Sequence, residues 1–265
     1  MLSIEEIKLL IEKLEKVSEH DFKNLINDNL KILKTLEKTI DTHNSEMINR
    51  IGKTKNWFHL DNQYKDKNPV VNESTKRSVR TKIFQFGRIN MYNSLEIGPG
   101  TGMFSMDFRG WRLNFFLDVL HSVENDIRKK FPSQHQKYLK FYTTDKTDCS
   151  QIPSNSCNFV FSWDTFVFFT QDHIRQYLKD IKRVLIPGGY VMIHYCDCHF
   201  DFDLTQAKRG YWNYNTKTMM HDIIESQGYE VIELNQFCPG ANYAIFKNPG
   251  KQNPVVYEIS ELILD

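Results

Sequence analysis

The 265-residue sequence has almost no net charge, with 34 Lys and Arg against 33 Asp and Glu for a formal +1. Such a balance supplies no overall field for a polyanion, so nucleic acid is disfavoured as a partner unless a basic patch is local. Cysteine is scarce. Cys149, Cys157, Cys196, Cys198 and Cys238 are odd in number and irregular in spacing, which argues against a disulfide framework and for a reducing, cytoplasmic setting. Met1 to Lys8 lack the basic segment, apolar core and small-residue cleavage site of a secretory signal. No stretch reaches the roughly 18 apolar residues of a membrane-crossing helix, so no membrane span is expected. A zinc site lacks support as well: Cys196-x-Cys198 is flanked by His194 and His199, but no second Cys pair stands at ligand spacing, and no metal is expected.

What remains, 40% hydrophobic and 25% charged, is enough for one sizeable core and a small appendage. From Ser3 to about Ile51, apolar residues recur at helical spacing (Ile4, Ile7, Ile11, Leu14, then Phe22, Ile26, Leu30, Leu33), and Asp21 is an N-cap candidate that divides the segment into two helices. Their apolar stripe packs on its own domain, makes a homodimer contact, or docks a partner or substrate. Lys53 to Thr75 is polar and irregular and reads as a linker or lid, followed by a helix from about Thr75 to Asn90.

Strand and helix patterns then alternate. Strands are expected at Ser94–Ile97, Asn114–Leu117, Lys140–Thr143, Asn158–Ser162 and Tyr190–Tyr195, with a helix over Gln171–Leu185 between Thr170 and Pro187-Gly188-Gly189. A helix from about Thr216 to Gln227 precedes strands Glu230–Leu234 and Tyr243–Phe246, which pair most simply as an antiparallel hairpin. The expected fold is α/β: a doubly wound, mostly parallel seven-stranded sheet with a C-terminal antiparallel hairpin, preceded by an N-terminal helical extension. The corresponding segments are helices over 1–52, a linker or lid and helix over 53–92, the main domain over 93–248 and a tail over 249–265.

The sharpest motif is Leu95-Glu96-Ile97-Gly98-Pro99-Gly100-Thr101-Gly102, an acidic strand residue followed by glycine at every second position. Glycine lets the backbone turn tightly and approach a ligand, and a following helix N-terminus would offer free N–H groups to a carboxylate. A dinucleotide fingerprint reads G-x-G-x-x-G; here the third glycine comes one residue early, which favours S-adenosylmethionine over NAD. Phe115-Phe116-Leu117-Asp118 reads as the second strand, ending in a carboxylate that can accept both ribose hydroxyls.

With these landmarks the chain resembles class I S-adenosylmethionine-dependent methyltransferases from about Ser94 to Phe246. It is most similar to bacterial members of sugar and surface-glycan pathways, through Glu96 to Gly100 and through Ile152 to Ser156 leading into Phe159-Val160-Phe161-Ser162-Trp163-Asp164. The resemblance implies Glu96, Gly98, Pro99, Gly100, Gly102, Asp118, Ser162 and Trp163 as donor-site residues. It also implies Asp145, or alternatively Asp148, on the adenine amino group. The expected product is S-adenosylhomocysteine. The sequence departs from relatives at Phe168-Phe169, where a His is usual, so no role of that His carries over.

Methyl transfer to a hydroxyl needs alignment of acceptor and methyl group and removal of a proton. His194, near the end of the fifth strand, is the candidate base, because strand C-termini form the crevice of open α/β sheets and imidazole titrates near neutrality. Asp164 orients it or binds substrate. Tyr195, Tyr211 and Trp212 are candidate acceptor contacts, the latter two in Lys208-Arg209-Gly210-Tyr211-Trp212-Asn213-Tyr214, between the fifth strand and the next helix. The leading expectation is O-methylation of a sugar, glycan or other small molecule. The alternatives are a nucleic-acid or protein methyltransferase and a non-catalytic S-adenosylmethionine-binding assembly protein; the fourth strand ends in Ser162-Trp163-Asp164-Thr165 rather than the Asn/Asp-Pro-Pro-aromatic turn of base amino-methylases.

Overall fold

The computed structural model describes residues 70, 72–87, 92–144 and 147–250, all within the unit that spans Glu46–Asp265. The helices expected over 1–52, most of the linker and all of the tail from 251 lie outside the described residues. Described elements run α1 Glu73–Gly87, β1 Asn93–Ile97, β2 Leu113–Asp118, α2 Val123–Arg128, β3 Leu139–Thr143, β4 Cys157–Ser162, α3 Gln171–Val184, β5 Leu185–Tyr195, α4 Asp201–Lys208, α5 Lys217–Ser226, β6 Glu230–Gln236 and β7 Asn242–Lys247. They form the expected seven-stranded sheet in the order β3-β2-β1-β4-β5-β7-β6. The pairs among β1 to β5 are parallel, and β7 runs antiparallel to both β5 and β6.

Central strands β1 and β4 are buried at every residue, as covering on both faces requires. One face holds Leu95, Ile97, Leu117, Val160, Val191 and Ile193, covered by Leu178 and Ile181 of α3 and by Ile223 and Ile224 of α5. Thr170 and Thr216 cap those helices, accepting the backbone N–H of His173 at 3.1 Å and of Met219 at 3.2 Å. The opposite face, with Phe159, Phe161, Met192 and Ile245, packs on Phe104, Phe108 and Trp111 and on Val79 and Ile83 of α1. Val79 and Ile83 stand four residues apart on one side of α1 and are fully buried. Each contributes about 1.5–3 kcal/mol of burial, so α1 is a core helix.

Two expectations are corrected by backbone geometry. Pro187-Gly188-Gly189 does not separate a helix from a strand at Tyr190; it lies inside β5, where pairing steps from Cys157 opposite Leu185 to Phe159 opposite Tyr190 and the extra residues bulge out, Gly188 at φ +81°. No regular α-helix follows the glycine motif. A single 3₁₀ turn, Ser105–Phe108, stands there, and Gly110 turns the chain at φ +96° towards β2. The rings of Phe108, Trp111, Phe159 and Phe161 contact one another at centroid separations of 5.6–6.3 Å and anchor this connection in place of a helical ladder.

Candidate active site

Gly98, Gly100 and Gly102 all adopt positive φ, at +66°, +53° and +76°, a region that costs an L-residue about 1–2 kcal/mol. The turn is stitched by Gly98 N–H to Leu117 O and by Gly102 N–H to Pro99 O, both 2.8 Å. The end of β4 secures it from the side: Ser162 Oγ donates to Ile97 O at 2.7 Å and Thr165 Oγ1 to Gly98 O at 3.3 Å. Lys130 Nζ donates to Gly102 O at 3.0 Å. Glu96 is buried beneath the turn and accepts from Ser105 Oγ at 2.6 Å; burial pushes its pKa up to about 8. Ser105 and Thr165 were not anticipated as site residues, because their partners are distant or unpatterned in sequence.

Asp118, at the carboxyl end of β2, accepts Gly100 N–H on Oδ2 at 3.2 Å and Leu120 N–H on Oδ1 at 3.0 Å, so the glycine turn itself orients this carboxylate. Burial raises its pKa above the ordinary aspartate value, against the pull of those N–H groups. A pocket of about 250 Å³ opens beside it at the ends of β2 and β3, lined by Asp118, Leu120, His121, Tyr142, Thr143 and Gln151 among others. His121 Nδ1 pairs with Thr143 Oγ1 at 2.8 Å, and Gln151 Nε2 donates to Thr143 O at 2.5 Å. This lining fits a nucleoside: a fixed carboxylate for vicinal hydroxyls, with polar side chains and the rings of Phe116, Phe141 and Tyr142 around it. Asp148 Oδ1 is occupied by its own turn, taking Ser150 N–H at 3.2 Å and Ser150 Oγ at 2.8 Å. Asp145 lies outside the described residues.

Beyond β4 the chain turns through Trp163 and Asp164. Trp163 is buried, donates Nε1–H to Val70 O at 3.1 Å and stacks on His194 with ring centroids 4.5 Å apart. His194 is fully buried; Trp212 meets it edge-on at 5.6 Å. Both ring nitrogens are engaged: Nδ1 accepts the Asp164 backbone N–H at 3.1 Å, and Nε2 pairs with Gly240 O at 2.8 Å. That pattern demands the neutral tautomer protonated on Nε2, and burial lowers the pKa to about 4. Asp164 adopts φ +58°, rare for a non-glycine residue, and its carboxylate has no hydrogen-bond partner among the described residues. The residue keeps partial exposure, yet the protein crowding its carboxyl group raises the pKa to about 7.

The three candidate acceptor contacts separate. Tyr195 is buried in the core on the other face of the sheet, with Val191 and Ile193, and does not join the site; alternation along β5 sends it away from His194. Trp212 is a packing residue between His194 and Phe202. Tyr211 is 46% exposed and Tyr214 47%. Their loop is tied to the 3₁₀ turn Phe166–Phe168, next to Asp164, by Asn213 N–H to Val167 O at 2.8 Å and Asn213 Nδ2 to Phe168 O at 2.5 Å. Among the described residues, no group of three metal-binding side chains converges, and no helix is long and apolar enough to cross a membrane.

The family model described as a methyltransferase domain matches residues 95–193. The fold is shared with the N-methyltransferase NodS from Bradyrhizobium japonicum WM9, solved with S-adenosyl-L-homocysteine: TM-score 0.56, 15% identity, 78% of this chain and 100% of that one. It is also shared with an S-adenosylmethionine-dependent methyltransferase from Leishmania major: TM-score 0.57, 12% identity, 77% of this chain and 82% of that one. No curated protein matches the sequence.

Proposed function

We propose that the chain, whose residues 95–193 match a methyltransferase domain and whose fold is shared with a methyltransferase solved with S-adenosyl-L-homocysteine, methylates a hydroxyl of a small-molecule acceptor, a sugar or glycan, with Asp164 taking the acceptor proton. One observation carries the choice of base. The Asp164 carboxylate is the unpartnered acid at the carboxyl end of β4, raised to a pKa of about 7, whereas the lone pair of His194 is already accepting a backbone N–H. A base poised near the working pH is the efficient one. This replaces the sequence-based choice of His194.

Gly98, Gly100 and Gly102 would hold the methionyl part of the donor through their backbone, and Asp118 the ribose. When bound, S-adenosylmethionine would supply an electrophilic methyl carbon, which would pass from sulfur to the acceptor oxygen and leave S-adenosylhomocysteine. Asp164 removes the hydroxyl proton as the oxygen–carbon bond forms, holding it as a neutral carboxyl group until solvent exchange. Trp163 and Trp212 are buried against His194 behind the Asp164 turn, and the exposed rings of Tyr211 and Tyr214 offer flat apolar faces suited to a sugar ring. The sugar class also rests on the sequence resemblance to glycan-pathway methyltransferases.

The test is transfer of radiolabelled methyl from S-adenosylmethionine to a panel of nucleotide sugars and free sugars, run beside amines. Label on sugar oxygen that disappears in Asp164→Asn supports the reading. Label on amines alone overturns the acceptor class, and a fully active Asp164→Asn overturns the base.

A further inference from the structure

We infer that His194 is a positioning residue: by accepting the Asp164 backbone N–H on Nδ1, it fixes the left-handed turn that sets where the Asp164 carboxylate projects. The inference rests on the reading of Asp164 as the proton acceptor.

A non-glycine residue at φ +58° persists only where its surroundings over-determine it. Two bonds act on this turn: Thr165 Oγ1 donates to Trp163 O across it at 3.4 Å, and the Asp164 N–H itself is held by His194, which reaches across from the neighbouring strand β5. The imidazole has little freedom of its own. Trp163 covers one face at an interplanar angle of 21°, Trp212 abuts it at 84°, and Nε2–H is spent on Gly240 O in the connection between β6 and β7. Gly240 is equally fixed, at φ +84° with Phe202 occupying the place where a Cβ would go. The chain Gly240 O, His194 and Asp164 N–H therefore couples the far edge of the sheet to the acid in the crevice. A protonated imidazole would place an N–H against an N–H, so the device works only with neutral His194, the state that its burial favours.

Nuclear magnetic resonance on the full-length protein tests this without a known acceptor. The expected signature is a His194 ring protonated on Nε2 alone, with a scalar coupling across the hydrogen bond between Nδ1 and the Asp164 amide nitrogen. The second readout is the carboxyl titration of Asp164 by carbon-13 shift in His194→Asn, whose Oδ1 can replace Nδ1, and in His194→Gln and His194→Phe, which offer no acceptor there. S-adenosylhomocysteine binding serves as the check of folding. The midpoint stays near that of the parent in His194→Asn and falls by about one unit or more in the other two, as a released turn lets water reach the carboxylate. A ring protonated on Nδ1, or an unchanged midpoint in His194→Gln, overturns the inference. The Gln and Asn variants decide it if His194→Phe does not fold. Failure of the proposed acceptor chemistry would leave these spectra as they are, so the two readings fail separately.

Discussion

Gly98 and Thr165 meet where the ends of β1 and β4 converge, so closely that a Cβ on Gly98 would collide with the Thr165 side chain. The hydroxyl that fills this space also binds Gly98 O, so the glycine turn and the Asp164 turn form one joint. Gly98→Ala meets both a clash and a positive φ. It is expected to lose roughly 2–4 kcal/mol of stability and most donor affinity, read by thermal melting and calorimetry. Normal melting and binding in Gly98→Ala would show that the joint is looser than this geometry.

Asp118 is oriented by the glycine turn and, in the proposed reading, also holds the donor ribose. Asp118→Ala removes the acceptor for Gly100 N–H and the proposed ribose contact, and S-adenosylhomocysteine affinity should fall by roughly 10- to 100-fold, as for hydrogen bonds to a charged group. A well-folded variant with parental affinity would remove Asp118 from the site.

The methyl-transfer rate should rise with pH through a midpoint near the Asp164 pKa of about 7, because the proposed base acts as the ionised carboxylate. Asp164→Asn should lower kcat by about 10²- to 10⁴-fold and abolish that limb. A rate that rises instead with a midpoint near 4, where His194 titrates, would return the base role to the imidazole.

Stability should fall as pH rises across the same range. Glu96 has a folded pKa of about 8 against an ordinary value of 4.5, so its contribution is fully present below about 4.5 and lost as pH climbs through 8. His194 acts in the opposite sense: depressed from 6.5 to about 4, it contributes above 6.5 and is lost as pH falls through 4. Glu96→Gln should therefore raise the melting temperature of the ligand-free protein at pH 8 relative to pH 5. An identical pH slope in parent and variant would show that Glu96 is not the buried acid responsible.

Much of the sheet was legible because period and burial coincide in it. Phe159-Val160-Phe161 and Leu95-Glu96-Ile97 are short runs bounded by turn residues, and Thr170 and Thr216 mark their helices by side-chain chemistry local in sequence. The glycine turn and Asp118 were legible for the same reason. The 3₁₀ connection was not: Phe104, Phe108 and Trp111 repeat at helical spacing, yet the rings bury as a cluster and Gly110 ends the segment early. The parity of β5 was available and decides Tyr195, since Val191, Ile193 and Tyr195 share one face and Met192 and His194 the other. Occupancy of both His194 nitrogens could not be read, because Asp164 and Gly240 come from segments far away along the chain.

The central claim, that the glycine turn and Asp118 form a site for S-adenosylmethionine, is tested most directly by calorimetric titration of the full-length protein with S-adenosylhomocysteine and, separately, NADH. The account predicts saturable binding of S-adenosylhomocysteine, weakened in Asp118→Ala, and no binding of NADH. NADH binding, or S-adenosylhomocysteine binding indifferent to Asp118, would contradict it.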